Sequence, residues 1–239
     1  YPNEELPAAR PHRTTPMYNI FTDMGAVWGQ QFGLEVVNYY AQGDEPTFEQ
    51  PTFRRSNGFK ATAREVKAVR SAVGINEVQN FGKFAVTGKD ARKWLSTIMA
   101  CRIPVAGRMS LTPMLSPKGR LMGDFTVSCL DENNFQLTAS YGAQEIHYRW
   151  FMKNLKGDVR VRNVSDRRTG FQIAGPKSRE LLSLCTRYDV STVKFLDVVR
   201  MTVGQVDCTV QRVSYTGDLG YEIYCDPMDQ RQLWQPLWN

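Results

Sequence analysis

The sequence predicts an α+β fold. Short strand and helix patterns mix along the 239 residues without strict alternation, which separates this chain from the α/β class. The composition, with 42% hydrophobic and 23% charged residues, is that of an ordinary globular protein. No apolar run approaches the roughly 20 residues that a membrane span needs. One large domain or two small ones fit this length.

The net charge and the cysteine content limit which ligands, metal sites and partners the sequence allows. Thirty basic and 24 acidic residues give a net charge of +6, which favours anionic ligands. The chain has no block of like charges of the kind found in nucleic-acid-binding tails. Five scattered cysteines and two histidines predict neither a metal site nor a disulfide framework, and His147 is expected at the surface or at an interface. We expect no membrane or nucleic-acid partner, and a cytoplasmic location, or the mitochondrial matrix in a eukaryote.

The first 60 residues differ from the rest. Six prolines interrupt them, and polar stretches surround a middle that is rich in aromatic residues and glycine. We expect residues 1–60 to form an extended lead-in that packs on a body formed by residues 61–239. Because the start at Tyr1 is linker-like, we also expect further sequence upstream.

Periodicity predicts the elements of the body in order. Apolar residues at helical spacing indicate a helix over 61–73, which Gly74 ends. Alternating patterns predict strands at 81–86, 109–115, 121–129, 135–139, 160–164, 171–174, 199–203 and 208–213. Further helical patterns cover 89–99, 143–155 and 177–185. Segments 84–91 and 171–178 share a strand, a glycine turn and a helix start, which leaves room for an internal duplication.

Asp124 is the first candidate for chemistry. Alternation in the strand puts it on one face with Met122 and Thr126. Aspartate is disfavoured inside strands, so this position needs an explanation. Either the face is simply solvated, or the carboxylate lies at the floor of a cleft, where it can transfer a proton or stabilise a cation.

The second candidate is the segment 214–224, a double-glycine turn that returns into a strand. Glu222 projects opposite to Tyr221 and Ile223. Its carboxylate can accept two parallel N–H bonds from an amino-pyrimidine ring, and Tyr215 can stack on such a ring or donate from its hydroxyl. The alternative is an ordinary solvated glutamate in an edge strand.

Several motifs in consistent order resemble the glycine-cleavage T protein family of folate-dependent aminomethyltransferases. Residues 215–222 (Y-T-G-D-L-G-Y-E) resemble the family signature Y-T-G-E-x-G-[YFW]-E, and residues 69–75, 81–91 and 173–177 resemble a helix end, a strand with its turn, and a later G-P turn. The resemblance implies a folate-binding T-protein-like fold of two intertwined, duplicated sheet-and-helix halves. Since the chain stops in the helix after the signature strand, the C-terminal β-barrel domain of that fold is expected to be absent.

Three further motifs are similar to the folate-binding half of the dimethylglycine and sarcosine dehydrogenases. They are residues 12–18 (H-R-T-T-P-M-Y), 25–33 (G-A-V-W-G-Q-Q-F-G) and 114–120 (M-L-S-P-K-G-R). In those enzymes a flavin domain oxidises an N-methyl amine to an iminium, and the folate domain captures the methylene group as 5,10-methylenetetrahydrofolate. The resemblance implies tetrahydrofolate as cofactor, a methylated-amine-derived iminium as substrate, and FAD only in an upstream domain or partner subunit. No G-x-G-x-x-G follows a predicted strand here.

The resemblance also assigns roles to particular positions. Asp124 aligns with the catalytic aspartate of the family, beside the reacting folate nitrogens, and Tyr215 and Glu222 align with residues of the pterin pocket. We therefore expect the two acids to line one ligand-sized hollow. Further cofactor contacts are implied at Phe81, Leu111, Met114, Ser140 and Tyr141.

The sequence departs from the family pattern at the rim of that pocket. Gly123 replaces the first acid of a pair, Leu111 stands where T proteins often have tyrosine, and Ser140 or Tyr141 replaces an asparagine. Three alternatives therefore stay open. The chain can be a free-standing aminomethyltransferase or demethylase, a folate-binding module of RNA modification or iron–sulfur assembly, or a non-catalytic interaction domain.

Overall fold

A computed structural model describes residues 7–239, and within that range it contains six α-helices and twelve β-strands in three antiparallel sheets. The helices are α1 (Tyr18–Asp23), α2 (Phe59–Ser71), α3 (Ala91–Ile98), α4 (Gln144–Lys153), α5 (Ser178–Cys185) and α6 (Gln230–Trp238). The strands are β1 (Ala26–Gln31), β2 (Leu34–Tyr40), β3 (Gly74–Glu77), β4 (Phe81–Thr87), β5 (Arg108–Leu115), β6 (Leu121–Asp131), β7 (Asn134–Ser140), β8 (Arg160–Asn163), β9 (Thr169–Ala174), β10 (Val198–Val203), β11 (Val206–Gln211) and β12 (Gly220–Cys225). None of the helices described is long and apolar enough to cross a bilayer.

The two five-stranded sheets repeat one topology. The first half has the order β5-β6-β7-β4-β8, and the second half has the order β10-β11-β12-β9-β3. In each half a strand leads through a glycine turn into a helix, then into three strands and a second helix. Gly88 and Gly175 occupy equivalent turns with φ of 127°, and backbone carbonyl oxygens lie where a Cβ would project. The internal duplication that the sequence left open is present at the level of topology.

The two halves exchange their edge strands. β3 directly precedes β4 in the chain, yet it pairs with β9 of the second half. Equally, β8 directly precedes β9 but pairs with β4 of the first half. The halves are therefore intertwined, as the resemblance implied.

Helices cover the outer face of each sheet. In the first half, Phe84 of β4 packs with Leu95 of α3 and Phe151 of α4, all fully buried. In the second half, Ile173 of β9 packs with Leu182 of α5. Burial of each such side chain contributes about 1.5 to 3 kcal/mol, so these two apolar cores hold the helices in place.

The inner faces of the two large sheets are polar and lie opposite each other. Lys83 of β4 projects inward and is fully buried, and Glu222 of β12 faces it. The hydroxyl of Tyr224, also on β12, lies beside Thr138 of β7. Buried polar groups of this kind need partners, which makes the space between the sheets the place to look for a site.

The segment 1–60 is only partly as expected. Residues 18–40 form α1 and the β1–β2 hairpin rather than an extended run, with a tight turn at Phe32 (φ 50°) and Gly33 (φ 85°). Met17 and Phe21 are buried in the core of the second half. Residues 41–58 form neither helix nor strand, and Tyr1 to Leu6 lie outside the described residues. The division of the chain at residue 60 stays a prediction.

Glu77 of β3 connects three parts of the fold. Its carboxylate accepts hydrogen bonds from Thr15 Oγ1 at 3.1 Å and from Gln230 Nε2 of α6 at 2.7 Å. Burial raises the pKa of Glu77 from 4.5 to about 7, against the lowering effect of these two bonds. The folded protein therefore binds a proton at Glu77 between about pH 4.5 and 7 that the unfolded chain releases, so stability falls as pH rises through this window.

We expect Glu77→Gln to raise the free energy of unfolding by up to about 3 kcal/mol at pH 8 and to leave it nearly unchanged at pH 4.5. Glutamine keeps the acceptor oxygen, and Gln230 Oε1, which has no hydrogen-bond partner among residues 7–239, can accept from the new amide. Urea denaturation at the two pH values measures the difference, with Glu180→Gln on the exposed face of α5 as control. An equal gain at both pH values contradicts the interpretation.

Candidate functional site

Asp124 lies on the inner face of the first-half sheet. β6 pairs with β7 through Thr126 and Thr138, and Thr138 pairs in turn with Lys83 of β4. Continuing this register by two residues brings Asp124 level with Ser140, which is the partner of Phe81. Asp124 is exposed, and within residues 7–239 no hydrogen bond or ion pair engages its carboxylate. The carboxylate is therefore available to a ligand.

Aromatic residues form the rim at the same end of the sheet. The ring of Tyr215, in the loop between β11 and β12, lies 6.3 Å from the ring of Phe81 between centroids. Tyr215 is 82% exposed, and Asp218 in the same loop is tied to Arg70 of α2 by an ion pair of 3.3 Å. The structure therefore brings Tyr215, Phe81 and Ser140 together, and register places Asp124 at their level.

Tyr141 follows Ser140 in a 3₁₀ turn and is almost completely buried. Its ring lies 5.9 Å from the guanidinium of Arg13, and its hydroxyl has no hydrogen-bond partner among the described residues. Ser140 itself is exposed. Of these two candidates for the pocket asparagine, Tyr141 carries the buried polar atom that lacks a partner.

Glu222 lies deeper, on the inner face of β12. It is 9% exposed, and the hydroxyl of Tyr224 donates to its Oε2 at 2.7 Å. Burial raises the pKa of Glu222, whereas the Tyr224 hydroxyl and the charge of Lys83 lower it. The expected projection opposite to Tyr221 and Ile223 is confirmed, since both are fully buried in the core on the other face.

Two glutamines flank Glu222 across the sheet. Gln211 of β11 and Gln172 of β9 are its direct cross-strand neighbours, and both are buried. Both amide atoms of Gln211 and the Nε2 of Gln172 have no hydrogen-bond partner in the described protein. Such atoms are costly to bury unpaired, so this row is suited to a polar ligand or to water.

Two of the predicted contact residues have contrasting positions. Leu111 is 58% exposed on the inner face, opposite Thr126, where it can reach a ligand. Met114 is fully buried in the outer core of the first half. The implied contact at Met114 does not agree with this placement, because strand alternation puts Met114 on the face opposite to that of Leu111.

His147 explains one departure from the family pattern. His147 was expected at the surface or at an interface, but it is buried within the fold at 2% exposure, and its ring lies 4.7 Å from that of Phe125. A Cβ at Gly123 would approach its Nε2 to 2.4 Å. Glycine is therefore the residue that fits where the family pattern has an acid, and burial lowers the pKa of His147.

Lys83, Tyr224 and the two flanking glutamines are functional candidates that the sequence reasoning missed. Strand alternation was the available signal, since Tyr224 is two residues from Glu222 and Lys83 is two residues from Phe81. Alternation alone does not say that these faces oppose each other. That information comes from the way the sheets pack.

Other features lie away from these residues. Cavities of about 850 and 380 Å³ occur at equivalent places in the two halves, beside the C-terminal ends of α5 and α3, and neither is lined by Asp124 or Glu222. Across residues 7–239 no group of three or more His, Cys, Asp or Glu side chains could hold a metal ion. The five cysteines are free thiols. A ligand-sized hollow between the two acids stays a prediction.

Comparison with known proteins identifies the fold. The family described as the GCVT N-terminal domain matches residues 17–239. Mitochondrial dimethylglycine dehydrogenase from Rattus norvegicus is 32% identical over 245 residues, covering 100% of this chain and 28% of that protein. An aminomethyltransferase from Clostridium botulinum (strain Kyoto / Type A2) is 29% identical, covering 95% of the chain and 57% of that protein.

Solved structures agree at the level of the fold. The glycine cleavage system aminomethyltransferase T from Bartonella henselae superposes with a TM-score of 0.78 at 20% identity, covering 95% of this chain and 57% of that one. A chain of the heterotetrameric sarcosine oxidase from Corynebacterium sp. U-96 gives a TM-score of 0.55 at 15% identity, covering 78% of this chain and 93% of that one.

The family match and the fold identify an aminomethyltransferase-like domain. The match over residues 17–239 shows that the chain belongs to the GCVT N-terminal domain family. It spans less than a third of the length of the dimethylglycine dehydrogenase from rat and little more than half of the bacterial aminomethyltransferase.

Proposed function

We propose that the chain binds tetrahydrofolate between its two large sheets and takes part in methylene transfer. The observation that carries this proposal is the buried row of Gln211, Glu222 and Gln172, whose unpartnered amide atoms flank a buried carboxylate. A reduced pterin presents N–H donors and ring acceptors that match such a row. The residues therefore fit this cofactor.

Each residue of the site has a distinct role in the proposal. Glu222 accepts two N–H bonds from the pterin, and Phe81 and Tyr215 contact its ring from the rim. Bound tetrahydrofolate would supply the two nitrogens that take up the one-carbon unit as 5,10-methylenetetrahydrofolate, and the amine released from the iminium would leave with the displaced protons. Asp124, exposed at the rim level, stabilises the incoming cation and accepts a proton at its carboxylate.

The source of the methylene group is also a proposal. Relatives named dimethylglycine dehydrogenase match the whole chain, which supports an iminium formed by oxidation of a methylated amine. The flavin for that oxidation would belong to another domain or subunit. Relatives named aminomethyltransferase support the second candidate, a methylene transfer without a flavin. Holding the iminium beside its acceptor would limit its loss as formaldehyde.

Titration with tetrahydrofolate under anaerobic conditions tests the binding step. We expect saturable quenching of the five tryptophans, and a Kd about 10- to 100-fold weaker in Glu222→Gln, because a hydrogen bond to a charged group contributes about 1.5 to 3 kcal/mol. Glutamine still accepts from the Tyr224 hydroxyl, so the fold is retained. Glu132→Gln, which changes an exposed carboxylate in the turn after β6, should bind like the wild type. Absence of saturable quenching in the wild type contradicts the proposal.

A further inference from the structure

Lys83 is a buried cation without an ion pair of its own in the described structure. Its side chain is fully buried, and Nζ donates to the carbonyl oxygens of Phe81 at 3.1 Å and Gln79 at 3.4 Å. A fully desolvated ammonium is costly, and two backbone carbonyls compensate this cost only in part. A lysine in this place therefore calls for an explanation beyond packing.

Three acidic groups face Lys83 from the surrounding elements. Glu222 on β12 has the largest electrostatic effect on it, followed by Asp166 in the 3₁₀ turn after β8 and by Glu77 on β3. Asp166 is exposed and bound to Arg13 at 2.6 Å, and Glu77 is held by its own hydrogen bonds. Glu222 is thus the buried carboxylate with the largest effect on Lys83, and Lys83 is the charged group that acts on it.

We propose that Lys83 is a positioning residue of the pterin site, whose buried ammonium supplies the positive charge opposite Glu222 and fixes the Phe81 carbonyl at the rim. This inference rests on the proposed function, because it assigns Lys83 a role through Glu222 rather than through contact with the ligand. An ionised Glu222 offers acceptors only, as two N–H bonds from a pterin require. A protonated Glu222 would present a donor where the ring also donates.

The direction of the pH effect follows from the facing charges. Burial raises the pKa of Glu222, and the hydrogen bond from Tyr224 and then the positive charge of Lys83 oppose this increase. Burial also lowers the pKa of Lys83 to about 7, and the charge of Glu222 opposes that decrease. Removal of the ammonium raises the pKa of Glu222 further, so binding that needs the carboxylate shifts to higher pH. Tyr224 still donates to Glu222 in either case.

The test measures the Kd for tetrahydrofolate against pH in the wild type and in Lys83→Met. We expect at least about tenfold weaker binding at pH 7 and partial recovery as pH rises, with the apparent pKa for binding above that of the wild type. Lys93→Met, on the exposed side of α3, removes the same net charge and should leave the profile unchanged. Circular dichroism and urea denaturation report whether each variant is folded.

A double-mutant cycle with Glu222→Gln separates positioning from a structural role. If Lys83 acts through the charge of Glu222, Lys83→Met has little further effect in the Glu222→Gln background. Additive losses, or an unchanged pH profile in a folded Lys83→Met, overturn the inference. A wild type that fails to bind tetrahydrofolate overturns the proposed function instead, so the two failures are distinguishable. If Lys83→Met does not fold, Lys83→Arg, which keeps the positive charge, takes its place. The pH profile of binding for Lys83→Arg should then match that of the wild type, and an upward shift in its apparent pKa for binding counts against the inference.

Discussion

Replacing Asp124 by asparagine is expected to reduce methylene capture by about 10²- to 10⁴-fold, the usual contribution of one oriented acid or base. The exposed carboxylate has no partner within residues 7–239, so the substitution should change the free energy of unfolding by less than about 0.5 kcal/mol. Amine oxidation should continue, because it takes place elsewhere in the proposal. Free formaldehyde should then rise as 5,10-methylenetetrahydrofolate falls.

The measurement belongs in the intact protein that carries this chain, with both products quantified per amine oxidised. Asp44→Asn provides a matched control, since Asp44 is an exposed aspartate in the loop after β2, away from the inner faces. Equal yields of 5,10-methylenetetrahydrofolate from the wild type and Asp124→Asn would defeat the assignment of Asp124. A similar fall in the Asp44→Asn protein would point to a general effect of charge.

The largest effect on stability is expected at Gly170. This residue of β9 has φ of 144°, and a Cβ there would lie 1.8 Å from the carbonyl oxygen of Ile223. That oxygen belongs to the backbone of the adjacent strand and cannot rotate away. Gly170→Ala therefore combines a disfavoured conformation with a clash in the centre of a sheet, and we expect a loss of more than about 4 kcal/mol.

The variant Gly119→Ala separates the cost of the disfavoured backbone conformation from the cost of the steric clash. Gly119, in the turn between β5 and β6, also has positive φ (71°), but nothing lies within 4 Å of the Cβ position. Conformational strain alone should cost about 1 to 2 kcal/mol there. Urea denaturation of both variants gives the comparison. A Gly170→Ala protein as stable as Gly119→Ala would show that the strand pair can shift to relieve the contact.

The elements of the body could be predicted because their signals are local. Alternation located β4, β6 and β9 to within a few residues, since one face of each strand packs against an apolar core. β3 was missed, because four residues after a helix carry too little pattern. Its pairing with β9 joins segments about 100 residues apart, and local periodicity contains no information about such partners.

Residues 18–40 show a different limit of structure prediction from the sequence. The nearby prolines suggested an extended run, yet Phe21 packs into the core of the second half and the aromatic residues of β1 and β2 suit a hairpin. Tertiary contacts decided the outcome here. In the candidate site, alternation placed Asp124 and Glu222 on defined faces, whereas the opposition of those faces, and hence the role proposed for Lys83, depended on sheet packing.

The exchange of β3 and β8 restricts how the molecule can move. β3 belongs to the second-half sheet but continues in the chain into β4 of the first-half sheet, and β8 belongs to the first-half sheet but continues into β9 of the second. The two sheets therefore cannot separate as rigid bodies without breaking the backbone hydrogen bonds of β3 or β8. Entry and exit of a ligand bound between them would therefore depend on the loops at the rim, such as the loop that carries Tyr215. Unfolding of either half also removes an edge strand from the sheet of the other half. We therefore expect thermal unfolding to be a single cooperative transition.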